Sequence, residues 1–116
     1  MKFGRTVRRL RQEKNISIAK FARKVGISPT YLAPIEREVF PPPAESKVVR
    51  IAKALDRDPD EFLSLAGRIS SDIRRIYHRQ PSQAARLLRA IDGLSDREIE
   101  KLVATARKKT ARKRRS

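Results

Sequence analysis

The stretch of sequence that decides the fold is residues 17–37, which read SIAKFARKVGISPTYLAPIER. Large apolar residues recur there at the three- and four-residue spacing that puts them on one face of a helix, on both sides of a single glycine. Gly26 supplies the turn, because glycine adopts a left-handed backbone cheaply, and Ala22 is small where two helices would cross. Ser28 and Pro29 then provide a helix cap and a first-turn proline. This joint pattern predicts a helix-turn-helix.

Helical spacing and capping residues predict further helices around this motif, and no stretch reads as a strand. A first helix covers residues 4–14, a fourth covers 45–55 beyond a proline-rich loop, and a short fifth follows Asp58 and stops at Gly67. The fold class is therefore all-α. The expected core residues share the inner faces of these helices: Val7, Leu10, Phe21, Ala22, Val25, Ile27, Leu32, Ile35, Ile51, Leu55 and Phe62. The arginines of the first helix are expected on its outer faces: Arg5, Arg8, Arg9 and Arg11.

The C-terminal third has weaker helical signals. Ser71 is a candidate cap for one helix, a second follows Pro81 and ends at Gly93, and a capping box at Ser95–Glu98 opens a third that runs to about Lys109. The third helix carries an apolar stripe: Ile99, Leu102, Val103 and Ala106. We expect this stripe to pack on the preceding helix, at Leu87, Leu88 and Ile91. Either the two helices form a dimer interface together, or they only close a small intramolecular core.

The expected domain organisation has three parts. We expect residues 1–67 to form a helix-turn-helix domain, residues 68–109 a small helical extension with a role in dimerisation, and residues 110–116 a disordered basic tail. The last ten residues, RKKTARKRRS, hold seven basic side chains and no large apolar one. Such a tail is either an electrostatic anchor or a solubilising end, and its charge density favours the anchor.

The charge of the chain predicts a polyanionic partner. The 116 residues include 29 Lys and Arg against 13 Asp and Glu, a net charge of +16, which favours nucleic acid over a membrane surface. Residues 1–37 hold ten basic and two acidic side chains, and residues 68–116 hold fifteen and five. Residues 38–67 hold four and six, as expected of a segment that faces away from the polyanion. This charge also disfavours the alternative interpretation of the motif as a hairpin in an ordinary helical bundle.

Several function classes are disfavoured by the composition. There is no cysteine and His78 is the single histidine, so we expect no metal site and no cofactor. Helix capping explains the carboxylates of Asp58, Asp60 and Glu61, so we expect no catalytic residue and no enzyme. No apolar run approaches the ~20 residues that span a bilayer, and the N-terminal segment lacks the apolar core of a signal peptide. We therefore expect no membrane association and a cytoplasmic location, at the nucleoid through DNA binding.

Residues 4–67 resemble the lambda-repressor-like, or XRE-type, helix-turn-helix domain. The matching segments are VRRLRQEKNIS in the first helix, FARKVGISPTYLAPIER in the motif, and RIAKALDRDPDEFLSLAG in the closing helices. The resemblance implies a five-helix domain that binds operator DNA, as a dimer or cooperatively, and that regulates transcription. It also implies that the third helix enters the major groove while the second lies across the DNA backbone. We interpret the chain as a repressor that binds double-stranded DNA as a homodimer.

The candidate DNA-binding residues occupy the outward positions of the second and third helices. Five are expected to hold phosphates: Lys20, Arg23, Lys24, Tyr31 and Arg37. Five are expected to face the major groove: Ser28, Pro29, Thr30, Ala33 and Pro34. Two roles stay open for Tyr31, a phosphate contact through its hydroxyl or packing on the first helix.

Two positions depart from the family pattern. Relatives commonly have glycine directly after the IER stretch, where this chain has Glu38, so another termination geometry is expected there. Pro34 lies where base-reading helices usually present Gln, Asn, Arg or Lys, and its missing amide predicts a bend or distortion of the third helix. Two alternatives to a specific regulator therefore remain. One is a sequence-tolerant nucleic-acid binder, and the other is an adaptor, antirepressor or antitoxin that uses the same frame to contact protein.

Overall fold

The computed structural model describes residues 2–115, which form eight α-helices and no strand. The helices are α1 (Phe3–Glu13), α2 (Ile18–Val25), α3 (Pro29–Glu36), α4 (Glu45–Ala54), α5 (Pro59–Leu65), α6 (Ser71–Arg79), α7 (Pro81–Ile91) and α8 (Asp96–Arg115). The all-α prediction is confirmed. The chain divides into two compact units, residues 1–74 and residues 75–116.

The first unit has one apolar core, formed by α1 to α5. All eleven residues that the sequence predicts for the core are buried, and they are joined by Phe3, Val48, Ala52 and Leu63. Phe3 packs edge-on against Phe62, with ring centroids 6.1 Å apart. The spacing of apolar residues did not include Phe3, because α1 begins one residue earlier than predicted and Lys2 provides no side-chain cap that would mark its start.

The first unit extends past the boundary expected at residue 67. Glu45, at the start of α4, accepts hydrogen bonds from the amide and the hydroxyl of Ser71, at 3.2 and 3.0 Å. These bonds hold the pKa of the Glu45 carboxyl below its ordinary value. Arg68 also donates to the carbonyl oxygens of Pro42 and Pro43. The residues after α5 are thus tied to the proline-rich loop and to α4, which explains the later boundary.

Each of the first five helices is followed by a residue with a left-handed backbone. Two are the glycines that the sequence marks, Gly26 and Gly67, but the other three are Asn15, Glu38 and Asp56, with φ between 56° and 67°. Asp56 also accepts a hydrogen bond from Lys14 Nζ at 2.8 Å, which joins the end of α4 to the end of α1.

The end of α3 corrects the expectation for Glu38. Its φ is 67°, its amide donates to the carbonyl of Ile35 at 3.1 Å, and the amide of Val39 donates to the carbonyl of Pro34 at 2.8 Å. This pair of bonds is the helix termination that glycine usually provides, here with a glutamate in the glycine position. The Glu38 carboxylate also reaches α1, where Oε2 accepts from the amide of Arg5 at 3.2 Å.

Pro34 does not interrupt α3, which is one α-helix from Pro29 to Glu36. The sequence predicts a distortion at this position, because the proline cannot donate to the carbonyl of Thr30. The proline lies in the last turn of an eight-residue helix, so a single intrahelical bond is missing and the helix ends two residues later.

The second unit contains α7, α8 and the last residues of α6. The predicted capping box is present at the start of α8: Ser95 and Glu98 each donate a backbone amide to the other's side chain, both at 3.1 Å. The Ser95 amide bond lowers the pKa of the Glu98 carboxyl. Among the described residues of α6, α7 and α8, none is buried.

The predicted disordered tail is helical as far as it is described. Helix α8 continues to Arg115, while Ser116 lies outside the described residues. Lysine, arginine and alanine favour helix almost as well as any residue, and basic side chains are stabilising at the negative end of a helix dipole. Low apolar content excluded a packed core for this segment but did not exclude a helix.

Candidate nucleic-acid interface

The helix-turn-helix is built from α2, a turn at Gly26 and α3. Ser17 caps α2 by accepting from the amide of Lys20 at 3.2 Å, and Ser28 caps α3 by accepting from the amide of Tyr31 at 3.3 Å. Gly26 has φ 74° and ψ 35°, the left-handed conformation that the sequence predicts. The serine caps fix where both helices begin, and therefore which side chains face outward.

Basic residues of α4 cover the turn between α2 and α3. Lys47 Nζ donates to the carbonyl oxygen of Gly26 at 2.8 Å, and a Cβ added at Gly26 would lie 2.8 Å from Nη1 of Arg50. The lysine neutralises the negative end of the α2 dipole. The turn is thus held from the side of α4, and glycine is favoured there by its left-handed conformation.

A buried ion pair fixes α3 to α1. Arg11 donates from Nε and Nη2 to the two carboxylate oxygens of Glu36, at 2.8 and 2.9 Å, and from Nη1 to the carbonyl of Ile16 at 2.8 Å. The expectation that Arg11 lies on an outer face of α1 is wrong: it is 9% exposed, and Glu36 is 3% exposed. The ion pair joins residues 25 positions apart in the sequence. The only signal for it in the sequence is that Arg11 follows the buried Leu10 and Glu36 follows the buried Ile35.

The predicted contact residues are mostly available to a partner. Eight of the ten are exposed: Lys20, Arg23, Lys24, Ser28, Pro29, Thr30, Tyr31 and Arg37. Ala33 and Pro34 are half-buried. The hydroxyl of Thr30 lies 3.4 Å from that of Ser28, at the start of α3. The polar contacts available on this helix are therefore concentrated at its N-terminal turn and at Arg37.

Tyr31 packs against a residue that the sequence pattern did not single out. Its ring lies 5.8 Å, centroid to centroid, from the ring of Phe40, in the loop that follows α3, with the two planes tilted by 43°. Tyr31 remains 41% exposed and Phe40 43% exposed. The pair forms an aromatic edge beside α3.

An open groove between α1 and α3 adds arginines that the sequence pattern did not assign to the site. Its volume is about 450 Å³, and its walls are Arg5, Arg8, Arg9, Gln12, Glu36 and Arg37. A smaller adjoining groove of about 210 Å³ is lined by Arg8, Arg11, Ile18, Ala33, Glu36 and Arg37. Two predicted contact residues, Ala33 and Arg37, thus lie beside Arg8 of α1. The sequence signal that could have indicated this contribution of α1 is the spacing of Arg5, Arg8 and Arg9, which puts them on one face of a helix.

Other kinds of site find no support in the part of the chain that the structure describes. Residues 2–115 contain no group of three or more His, Cys, Asp or Glu side chains arranged to hold a metal ion. Over the same residues, no helix combines the length and the apolar character needed to cross a bilayer.

Comparison with known proteins identifies the family. A family profile described as a helix-turn-helix domain matches residues 4–68. No curated protein matches the chain significantly.

The solved structures similar to the chain include DNA-bound SinR, a SinR–SinI complex and ClgR. SinR, the master regulator for biofilm formation, in complex with DNA, shares 28% identity over 53% of this chain and 97% of that chain, with a TM-score of 0.49. The SinR protein/SinI protein complex shares 20% identity over 94% and 98%, with a TM-score of 0.51. The clp gene regulator ClgR from Corynebacterium glutamicum shares 21% identity over 78% and 86%, with a TM-score of 0.49.

The family match covers more than half of the chain and coincides with α1 to α5, the helices that form the core and the α2–α3 motif. The chain therefore belongs to the XRE-type helix-turn-helix family.

Proposed function

We propose that the protein is a transcriptional regulator that binds operator DNA as a homodimer and acts as a repressor, with no catalytic step. The observation that carries the proposal is the α2–α3 surface, where Lys20, Arg23 and Lys24 are exposed beside the exposed first turn of α3. In this family's motif the second helix crosses the DNA backbone, where lysine and arginine neutralise phosphates. A net charge of +16 strengthens the attraction. Such a protein acts at the nucleoid, in the cytoplasm.

Base recognition is proposed to rest on the N-terminal turn of α3. Thr30 offers a hydroxyl to base edges, and Ala33 and Pro34 offer apolar contacts to thymine methyl groups. The chain has no Gln, Asn, Lys or Arg between Ser28 and Glu36, so a bidentate contact from the middle of α3 is not available. The shape of the DNA then carries a larger share of the specificity.

The test compares a duplex from the region upstream of the protein's own gene with a random duplex of equal length, over a series of salt concentrations. Thr30→Ala is expected to lower the preference for the upstream duplex by about 1–3 kcal/mol per half-site. The matched variant Arg23→Ala is expected to weaken both duplexes alike and to lower the slope of log K against log salt by about 0.9. Pro34→Gln adds a long amide and is expected to change which bases are preferred.

One combination of results would contradict base reading by α3. If Thr30→Ala and Pro34→Gln both leave the preference at its wild-type value, the helix holds DNA without reading it. A protein that binds both duplexes equally is the sequence-tolerant binder. A protein that binds neither is the adaptor or antitoxin, for which the half-buried Ala33 and Pro34 would form a protein contact.

The dimer is proposed to form through α7 and α8. A groove of about 170 Å³ between these helices is lined by Leu87, Ile91, Ile99, Leu102, Val103 and Ala106. Leu87 remains 61% exposed and Leu102 48% exposed, so the two helices do not close a core by themselves. Apolar side chains gathered on so small a unit favour burial against a second copy. Two copies would also present two α3 helices, as half-sites of an operator require.

A further inference from the structure

The groove between α1 and α3 carries more positive charge than its own acidic residues neutralise. On α1, Arg5, Arg8 and Arg9 follow one another at helical spacing along the wall, and Arg37 faces them from the end of α3. Like charges in one groove repel, which lowers the stability of the domain unless an anion joins them. The arrangement therefore suggests a ligand.

The carboxylates near this groove are already engaged. Glu36 accepts both of its hydrogen bonds from Arg11. Glu38 accepts from the amide of Arg5, not from its side chain, and Glu13 pairs with Arg9 at 3.0 Å. Within residues 2–115, no hydrogen bond or ion pair engages the guanidinium groups of Arg5, Arg8 or Arg37.

The backbone on both sides of the groove is held in place. A Cβ on Gly4 would overlap the carbonyl oxygen of Ile35, so α1 lies directly on the last turn of α3. The Glu38 carboxylate and the Arg11–Glu36 pair tie the same two helices together. The backbone positions from which Arg5, Arg8 and Arg37 extend are therefore fixed relative to one another, so these three arginines border one groove.

We propose that this groove receives a phosphate of the DNA backbone, held by Arg8 and Arg37, with Arg5 at its rim. The inference rests on the proposed DNA-binding function and adds α1 to the contact surface. A DNA phosphate is favoured over a free anion because the groove is open and continues past Ala33, so the duplex on which α3 docks runs along it. Arginine is suited to this task because its planar guanidinium binds two phosphate oxygens at once.

The experiment measures binding of the full chain to labelled duplex DNA by fluorescence anisotropy between about 50 and 300 mM salt, the range over which phosphate contacts dominate the change in affinity. The test variant is Arg5→Gln with Arg8→Gln, and the matched control is Lys53→Gln with Arg57→Gln, which removes the same charge from the exposed surface of the acidic middle segment. All four residues are exposed, so thermal unfolding of both variants is expected to match the wild type.

The test variant should bind about tenfold more weakly or worse, and its salt slope should be lower by about 0.9 for each phosphate that it no longer neutralises. The control variant should keep the wild-type slope, because its two charges lie outside the groove. Arg8→Lys should also keep the slope, since the charge remains, while part of the affinity disappears with the bidentate geometry.

The outcomes separate the two proposals. If the wild-type chain does not bind duplex DNA, the proposed function itself is wrong. If the wild type binds and the test variant equals the control in affinity and slope, the groove holds no phosphate, although the proposed function stands. A groove that instead received an acidic segment of a partner protein would give that second result, which overturns the phosphate proposal.

Discussion

Glu38 holds a backbone conformation that costs a side-chain-bearing residue roughly 1–2 kcal/mol, at a position where glycine would avoid the cost. The compensation visible in the structure is its carboxylate, which caps α1 through the amide of Arg5. An α1 with no cap of its own thus receives one from a residue 33 positions away. The glutamate joins two helix ends, which glycine cannot do.

The two effects at Glu38 can be separated by two substitutions. Glu38→Ala removes the cap and keeps the strain, so the free energy of unfolding should fall by about 0.5–2 kcal/mol. Glu38→Gly removes both, so its stability should stay within about 1 kcal/mol of the wild type. Urea denaturation of the three proteins measures the difference. Equal stability of the alanine and glycine variants would contradict the left-handed conformation, and an alanine variant as stable as the wild type would contradict the cap.

At the scale of single helices, features set by residues close in sequence were predicted, whereas features set by contacts between distant residues were not. Ser17, Ser28 and the Ser95–Glu98 box are caps that act within a few residues, and all were predicted with the correct helix starts. The left-handed turn at Gly26 was predicted for the same reason. The Arg11–Glu36 pair and the Glu38 cap were not, because each depends on how α1 docks against α3 and leaves no periodic trace in the chain.

The candidate site was also predicted only in part. The exposed positions of α2 and α3 could be predicted because the helical period decides which residues face outward. The contribution of α1 to the groove could not, because it requires the relative placement of two helices. Phe40 as the neighbour of Tyr31 is a further case, since a loop conformation decides it.

The basic residues at the end of α8 can be tested by truncation of the chain. Cutting the chain after Ala106 removes seven basic side chains, and cutting after Lys109 removes four. If these side chains only attract phosphates, both cuts should weaken upstream and random duplexes by similar factors, and the salt slope should fall further for the longer cut. Binding titrations over a salt series measure both effects. Because the segment is helical, it has the shape that fits a DNA groove, so a selective loss of preference for the upstream duplex would identify α8 as a reader of sequence.

For the whole molecule, the proposed dimer makes the C-terminal unit a requirement for tight operator binding. Leu102→Glu places a charge in the α7–α8 groove and is expected to shift the protein from dimer to monomer in sedimentation velocity. The matched control is Thr105→Glu, on an exposed position of the same helix outside that groove, which should leave the dimer intact. A folded Leu102→Glu protein with the wild-type sedimentation coefficient would remove the interface from the proposal.

The lack of any buried residue in the described parts of α6, α7 and α8 also bears on how the chain exchanges its amide hydrogens with deuterated water. Helices without a core open locally at little free-energy cost, whereas the amides of α1 to α5 beside the buried core exchange mainly when the first unit unfolds. If a second copy supplies the missing core, protection of α7 and α8 must grow with protein concentration, while protection around Phe21 and Ile51 stays constant. The deuterium uptake of α7 and α8 would then report the fraction of the protein that is dimeric at each concentration.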